Sequence, residues 1–277
     1  MTMTEGICSR RSVRSFSGEP LREEDRDELL RFAASVETPW GLPIDWRLLD
    51  AKEHGLTSPV ITGTDCWLAG KIRRAPHAEE AFGYAFERVA LHALARGVGT
   101  TCIAGTMNRP AFERAMDLAA DEVMPCVTPL GYPAAKPSLR ESMMRKAVKA
   151  DSRLPFEELF FDGGFDRPLS PAKAGAPIEA LELVRLAPSA VNRQPWRAVL
   201  CGDTVWFYEK KSRGFVGADG WDMQKIDLGI ALCHFACALE EQGRKARFLT
   251  EDPGLPCPAD TVFIAGFRAA AALAGEA

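Results

Sequence analysis

The sequence predicts an α+β fold made of two tandem halves, each a small sheet flanked by helices. Three observations carry that prediction. The order of periodic segments repeats: a helix, a broken turn, two strands, a long helix and a further strand occur twice along the chain. Matched residues fall at matching places in the two runs. Phe82-Gly-Tyr-Ala-Phe86 sets against Leu228-Gly-Ile-Ala-Leu232, and each long helix runs to a glycine fourteen positions past its inner one, Gly83 to Gly97 and Gly229 to Gly243. Trp46-Arg47 and Trp196-Arg197 each open a strand after a broken helix, and Cys66-Trp67 and Val205-Trp206 open the next. The third observation is the stretch from Asp162 to Pro177, rich in Gly and Pro and without periodicity, which reads as a connection. The expected layout is therefore a first half at 1–161, a linker at 162–177 and a second half at 178–277, the product of a diverged duplication.

In chain order, Ser17-Gly-Glu-Pro20 is a turn, and a helix follows over 22–36 with Leu29, Leu30, Phe32 and Ala33 inward. Thr38-Pro-Trp-Gly-Leu-Pro43 breaks it, because proline neither donates a backbone hydrogen bond nor tolerates helix before it. Strands are expected at 44–51 and 66–72, and a helix at 79–96 closed by Gly97 as its cap. Thr100–Ala104 is a short strand or bend, a helix begins at Pro110, and Met124–Leu130 is a strand. The stretch 134–152 carries Lys136, Arg140, Arg145, Lys146 and Lys149 and reads simply as basic. Past the linker come a helix at 178–187, strands near 196–201 and 204–210, a helix at 225–242, and strands near 245–250 and 261–267.

Composition narrows the function classes. The chain is 47% hydrophobic and 26% charged, which is ordinary for a globular protein and argues against disorder. A net charge of −4 gives no electrostatic case for nucleic acid or an anionic membrane as partner. The start, Met-Thr-Met-Thr-Glu, has no basic region followed by an apolar core, and the most apolar run, Leu228–Leu239, is too short to span a bilayer, so a cytoplasmic protein is expected. Eight cysteines are scattered without a C-x-x-C pair and read as reduced, mostly buried thiols. Cys233, His234 and Cys237 share a helix, but no further ligands at workable spacing accompany them, and no metal site is expected.

The stretch most suited to bind something is Ala187-Pro-Ser-Ala-Val-Asn-Arg-Gln-Pro-Trp196. A helix stops at Pro188, Ser189, Asn192, Arg193 and Gln194 supply polar groups, and Pro195 leads into a strand. Such a stiff polar turn can present hydrogen-bonding groups to a planar ligand, and it can equally satisfy only its own backbone. This A-P-S-x-x-N-x-Q-P-W segment resembles the signature of the nitroreductase family of flavin enzymes. Two further segments resemble that family: Ser9-Arg-Arg-Ser-Val-Arg-Ser-Phe16 its N-terminal arginine motif, and Val127-Thr-Pro-Leu-Gly-Tyr-Pro133 its strand ending in G-Y-P. Their order departs from the family, where the A-P-S-x-x-N segment precedes G-Y-P.

The resemblance implies a nitroreductase-like fold with mostly antiparallel sheets, and FMN as cofactor. It implies that NADH or NADPH is the co-substrate and that a nitroaromatic, quinone or similar small molecule is the acceptor. In the family, flavin sites lie between two subunits. Here the first half keeps the arginines and the second keeps the A-P-S-x-x-N turn. One complete site per chain follows, in a monomer imitating a dimer, with a homodimer as the alternative. By the same resemblance Arg10 and Ser12 meet the phosphate, with Arg11 beside them and Arg153 as a second basic position. The family often has lysine two residues before that arginine; this chain has Asp151, with Lys149 the nearest substitute. Arg14 approaches the ribityl chain and pyrimidine edge, where positive charge stabilises reduced flavin. Pro188, Ser189, Ala190 and Asn192 contact the ring from across the interface, and Ile103, Ala104 and Gly105 face its N5 side. No side chain is expected to act as acid, base or nucleophile. No inserted lid is apparent, so the FMN-dependent alternatives in the family, flavin fragmentation and reductive dehalogenation, rank below NAD(P)H-dependent reduction. A flavin-holding or redox-sensing protein with little turnover is the non-enzymatic alternative.

Overall fold

The computed structural model describes residues 1–172, 176–217 and 220–269, so Lys173–Gly175 of the expected linker and residues 270–277 of the second half lie outside the described residues. The first sheet centres on β2 (Cys66–Arg73). One edge of β2 pairs antiparallel with β1 (Asp45–Asp50), and the other with β3 (Glu122–Val123) and β4 (Val127–Leu130). The second sheet has the order β5 (Phe160–Asp162), β6 (Trp196–Cys201), β7 (Thr204–Lys210), β9 (Thr261–Ala269), β8 (Ala246–Leu249). All its pairs are antiparallel except β5 with β6. The expected α+β class with mostly antiparallel sheets is what the chain adopts.

Most expected elements stand within two or three residues of their sequence positions. They include α2 (Glu23–Ser35), α4 (Ala78–Ala95), α5 (Arg109–Ala115), α8 (Ala176–Arg185) and α9 (Met223–Glu241). Besides the one-turn α3 (Ala51–His54) and α7 (Phe156–Leu159), two helices among the described residues carried no expectation: α1 (Met3–Ser9) and α6 (Leu139–Ala147). Both are fixed by a capping side chain. Thr2 and Glu5 form a reciprocal capping box at α1, and Ser138 accepts the Glu141 amide at α6. The expected strand at 124–130 starts only at Val127, because Pro125 has no amide to donate and the Met124 carbonyl accepts from the Arg109 guanidinium. Thr100–Ala104 is a bend, joined to β4 by a single bridge between Ile103 and Val127.

The crossing between sheets also differs from the expected 161/162 boundary. β5 includes Phe160 and lies in the second sheet, opposite Ala198, so the chain has already crossed over. The cause is burial: Phe156, Leu159 and Phe160, in and just after the one-turn α7 (Phe156–Leu159), all enter the core shared by both sheets. The start of the expected linker is held down as well, with the Gly163 amide on Leu200 O and the Leu169 amide on Phe160 O.

At the centre α4 and α9 lie against each other. Every residue of α9 from Ile226 to Leu239 is buried, which is why its sequence is apolar all round instead of striped. Contact is closest at two glycines and is reciprocal. A Cβ on Gly83 would fall 2.1 Å from Ile226 O, and one on Gly229 would fall 2.0 Å from Glu80 O. Each glycine thus meets the backbone three residues before the other, the pattern a two-fold relation produces. Backbone cannot rotate aside as a side chain can. Gly83→Ala or Gly229→Ala is therefore expected to destabilise by about 3 kcal/mol or more, at the top of the overpacking range. Gly97→Ala, at a positive φ of 75° with open space around it, should cost only about 1 kcal/mol. Denaturant midpoints of the three variants check this ordering.

Candidate functional site

The arginine segment 10–16 is an extended loop leaving α1, stitched to three other segments. Val13 donates to Thr100 O, Thr62 to Arg14 O, Phe16 to Thr62 O, and Ala134 to Ser15 O. Gly131 of the G-Y-P segment lies under the Phe16 ring, where a Cβ would come within 2.9 Å of a ring carbon. The G-Y-P motif is therefore a seat for the arginine loop, which explains why the two segments go together.

Facing the loop is the turn after α8. Val191, Asn192 and Gln194 all have positive φ (44°, 58° and 52°), a strained run for which a β-branched residue is ill suited. Hydrogen bonds hold it. Ala190 N–H points at both carboxyl oxygens of Asp227 (3.0 and 3.2 Å), and Gln194 N–H donates to Ser189 Oγ at 2.8 Å. Asn192 donates through Nδ2 to Lys149 O (2.8 Å) and Ser152 O (3.1 Å), and Leu154 N–H donates to Gln194 Oε1 at 2.9 Å. Arg153 returns the tie, reaching Leu186 O at 3.1 Å. So Asn192, expected on the ring, spends its amide nitrogen on main chain and staples the turn to residues 149–154.

Loop and turn enclose two adjoining cavities that share Arg10, Ser12, Arg14, Pro188 and Ser189 among their walls. One, of about 360 Å³, is basic: Arg10, Arg11, Arg14, Arg145 and Arg153 face it with Asp151 as the acidic exception. The other, of about 280 Å³, is largely apolar, walled by Phe86, Ile103, Ala104, Met144, Ile226 and Ile230, with Asp227 and Gly105 on its lining. All of the expected site residues, Arg10, Arg11, Ser12, Arg14, Ile103, Ala104, Gly105, Arg153, Pro188, Ser189, Ala190 and Asn192, lie on one or both of these walls. Gly105 takes no left-handed φ, and a Cβ there would meet nothing, so the chain itself does not require glycine at that place. Lys149 is not on either wall, and Asp151 pairs with Arg145.

Several residues of the site carried no expectation. α6 walls both cavities through Met144, and Arg145 and Val148 extend the basic one. Arg109 holds Ala104 O at 3.0 Å and thereby sets the backbone of the 103–105 segment. Arg10 Nε meets Glu87 at 3.1 Å, and His234 Nε2 meets the same carboxylate oxygen at 2.9 Å. His234 Nδ1 lies 2.9 Å from Leu183 O, so both ring nitrogens face oxygen acceptors. Burial works against charge on Glu87, but Arg10 and His234 outweigh it and hold the carboxyl below the ordinary range. Burial lowers the Arg14 and Arg153 guanidiniums, and neighbouring arginines act in the same direction.

Comparison with known proteins gives one family. The family described as "Putative TM nitroreductase" matches residues 2–239. A crystal structure of a "putative nitroreductase" from Thermotoga maritima MSB8 superposes with a TM-score of 0.64 at 20% identity, covering 97% of this chain and 94% of that one. A nitroreductase family protein from Clostridium difficile 630 gives a TM-score of 0.45 at 14% identity, over 57% of this chain and 96% of its own. One from Clostridium novyi NT gives 0.42 at 15%, over 49% and 87%. No curated protein matches.

Two expectations follow from the geometry. Gln194→Leu should cost about 1–3 kcal/mol and raise the exchange rate of the Leu154 amide, which loses its acceptor; hydrogen exchange by NMR reads this directly. Glu87→Gln should cost about 3–5 kcal/mol, since it leaves Arg10 and His234 facing a neutral amide inside the core. Because the Glu87 carboxyl is depressed in the folded state, its contribution is present above the usual glutamate range, about pH 4.3, and fades as pH falls below it. Urea titrations of parent and variant across acid pH check both signs.

Proposed function

The chain belongs to the nitroreductase family that matches residues 2–239, and from that premise we propose that it is an FMN-dependent oxidoreductase with one flavin site per chain. The observation that carries the reading is the joining of an early arginine loop and a late Pro/Asn turn on one cleft, cationic at one end and apolar at the other.

The residues present fit FMN. Among the described residues Arg14 Nε and Arg153 Nε, both buried, find no hydrogen-bond partner, as donors waiting on an anion would. Four further donors, Arg10, Arg11, Arg145 and Ser12, share that wall, and a phosphate dianion suits such a set. The apolar end, with backbone at Ala104 and Gly105 exposed to it, suits a planar ring. Bound FMN would supply two-electron hydride chemistry, drawing on NADH or NADPH and reducing a nitroaromatic, quinone or related small acceptor. The chain's own part is to grip the phosphate with guanidiniums, to place cationic Arg14 beside the developing negative charge, and to exclude water beneath α6.

The single site is supported by what fills its counterpart. On the proposed duplication Trp40 corresponds to Ala190, six residues before Trp46 and Trp196, and Phe248 corresponds to Cys102, nineteen residues after the inner glycines. Trp40 packs edge-on against Phe248 with ring centroids 4.9 Å apart, and stacks on His77 at 5.4 Å. Two large rings thus meet where the equivalent cleft would open. The two halves of one chain would then do what two subunits do elsewhere, in the cytoplasm and with no second copy required.

The protein should purify yellow and release FMN on denaturation at one equivalent per chain. Arg14→Ala is a sharper test than Arg10→Glu, because Arg10 is engaged with Glu87 and reversing its charge would also disturb the core. Loss of one charge-assisted contact, about 1.5–3 kcal/mol, predicts roughly 10- to 100-fold weaker FMN binding in a flavin titration. A colourless protein that ignores added FMN would remove the proposal. Bound flavin that neither NADH nor NADPH bleaches in stopped flow would leave a flavin-holding protein.

A further inference from the structure

Asp227 is a carboxyl on an apolar wall. It lies in the second turn of α9, is 5% exposed, and borders the same cavity as Phe86, Ile103, Met144, Ile226 and Ile230. Among the described residues it forms no ion pair with a lysine, arginine or histidine. Its one hydrogen-bond partner among the described residues is Ala190 N–H, which lies within reach of both oxygens. That one N–H is shared between the two oxygens, so the carboxyl keeps hydrogen-bonding capacity beyond it. The neighbouring titratable groups push in one direction. Asp222 at the N-terminus of α9 and Glu209 on β7 are acids, and the Cys126 thiol lies near; Arg10 and Arg14 border the same cavity. Burial is the largest influence and drives the Asp227 carboxyl well above the ordinary range, with Asp222 and Glu209 adding to it against the Ala190 amide. Neutral, the group is a hydrogen-bond donor as well as an acceptor.

We propose that the Asp227 carboxyl donates the hydrogen bond that fixes the oxygen of the electron acceptor, a nitro or quinone carbonyl oxygen on an aromatic ring, at the apolar end of the cleft. The assignment rests on the oxidoreductase reading only for the identity of that ligand as an acceptor. It makes Asp227 a specificity residue: an uncharged aromatic with an acceptor oxygen is favoured, and a plain aromatic of the same size is not, because it would leave a buried polar group without a partner. The bond to Ala190 ties the same carboxyl to the strained turn, so donor and turn are set together.

The test uses the purified full chain in its oxidised state and 4-nitrobenzyl alcohol as probe, with binding followed by calorimetry. The parent should bind the probe at least about tenfold more tightly at low pH than after the carboxyl ionises, since an ionised Asp227 can only accept. Asp227→Asn keeps an oxygen for Ala190 N–H and an N–H for the probe. It should bind about as tightly as the parent at low pH and lose the pH dependence. Asp227→Leu should bind at least about tenfold more weakly at every pH. Infrared difference spectra should show a protonated-carboxyl carbonyl band in the parent that is absent from the Asn variant. Probe binding that is independent of pH in the parent and unchanged in both variants overturns the proposal, as does absence of probe binding. A protein that holds no flavin yet binds the probe through Asp227 leaves this proposal standing and removes the oxidoreductase reading. Flavin retained and bleached by NAD(P)H, with binding indifferent to Asp227, does the reverse.

Discussion

The close approach of α4 and α9 at Gly83 and Gly229 is the constraint on which the rest of the molecule depends. With backbone against backbone, the two longest helices are locked in both distance and register, since no side chain in between can yield. That register places Glu87, one turn beyond Gly83, opposite His234 of α9, and their buried pair reaches Arg10. A glycine contact in the core therefore fixes the position of a guanidinium at the rim. Removing charge from water is expensive, and Arg10, Glu87 and His234 offset that cost only in this one geometry. The same contact sets the start of α9, and with it Asp227, across from the Ala104–Gly105 segment beyond the end of α4.

The cleft is assembled at the seam, from pieces that are weakly structured by themselves. The 10–16 loop has no regular hydrogen bonding of its own and borrows partners from Thr62, Thr100 and the chain beyond Pro133. The 187–194 turn is strained, at about 1–3 kcal/mol for a residue such as Val191 in the left-handed region. It persists because Asp227, Asn192, Gln194 and Ser189 over-determine it. Two of those four reach into residues 149–154, so the turn and the Arg153 segment stabilise each other. Strain concentrated at the cleft and relieved nowhere along the turn is the arrangement expected where geometry must be held for a ligand.

Much of this was legible in the sequence. Period-2 and period-3.6 patterns located the long strands and helices, because each buries one face or, for α9, every face. The twelve residues expected on the cleft wall were named by family resemblance, eight of them within two motifs and Ile103, Ala104, Gly105 and Arg153 by their place after an element, not through physics alone; nothing in the spacing of Arg10 and Asn192 says that they meet. What escaped had identifiable causes. α1 and α6 are short and weakly periodic, yet each begins with a hydroxyl residue three positions before a glutamate, Thr2 with Glu5 and Ser138 with Glu141, and that capping pattern was there to be used. β5 was hidden because three residues show no period, and only burial of Phe160 against the second sheet makes them a strand. Asp227 was hidden inside an apolar helix pattern, where an acid four positions past its start looks like an ordinary solvated face. The sequence has no local sign that this face is interior.

On the proposed duplication, the reciprocal glycine contact gives α4 and α9 equivalent places, and the difference between an open cleft and a closed one lies in the side chains around them. It resides in few of them. Asp227 stands two residues before Gly229, where Ala81 stands before Gly83; Cys102 answers to Phe248; Ala190 answers to Trp40. On one side the small residues Ala190 and Cys102 leave space and Asp227 puts a polar group into it. On the other, two rings fill the space and stabilise the fold by burial, with His77 stacked beside them. An aromatic pair of this kind contributes about 0.5–1.5 kcal/mol beyond its buried area, while an open cleft bordered by five arginines contributes repulsion. On the proposed single-site reading the chain gains stability by closing the other cleft, and the side that stays open then has reason to carry the strain, the guanidinium nitrogens without partners among the described residues, and the buried acid together.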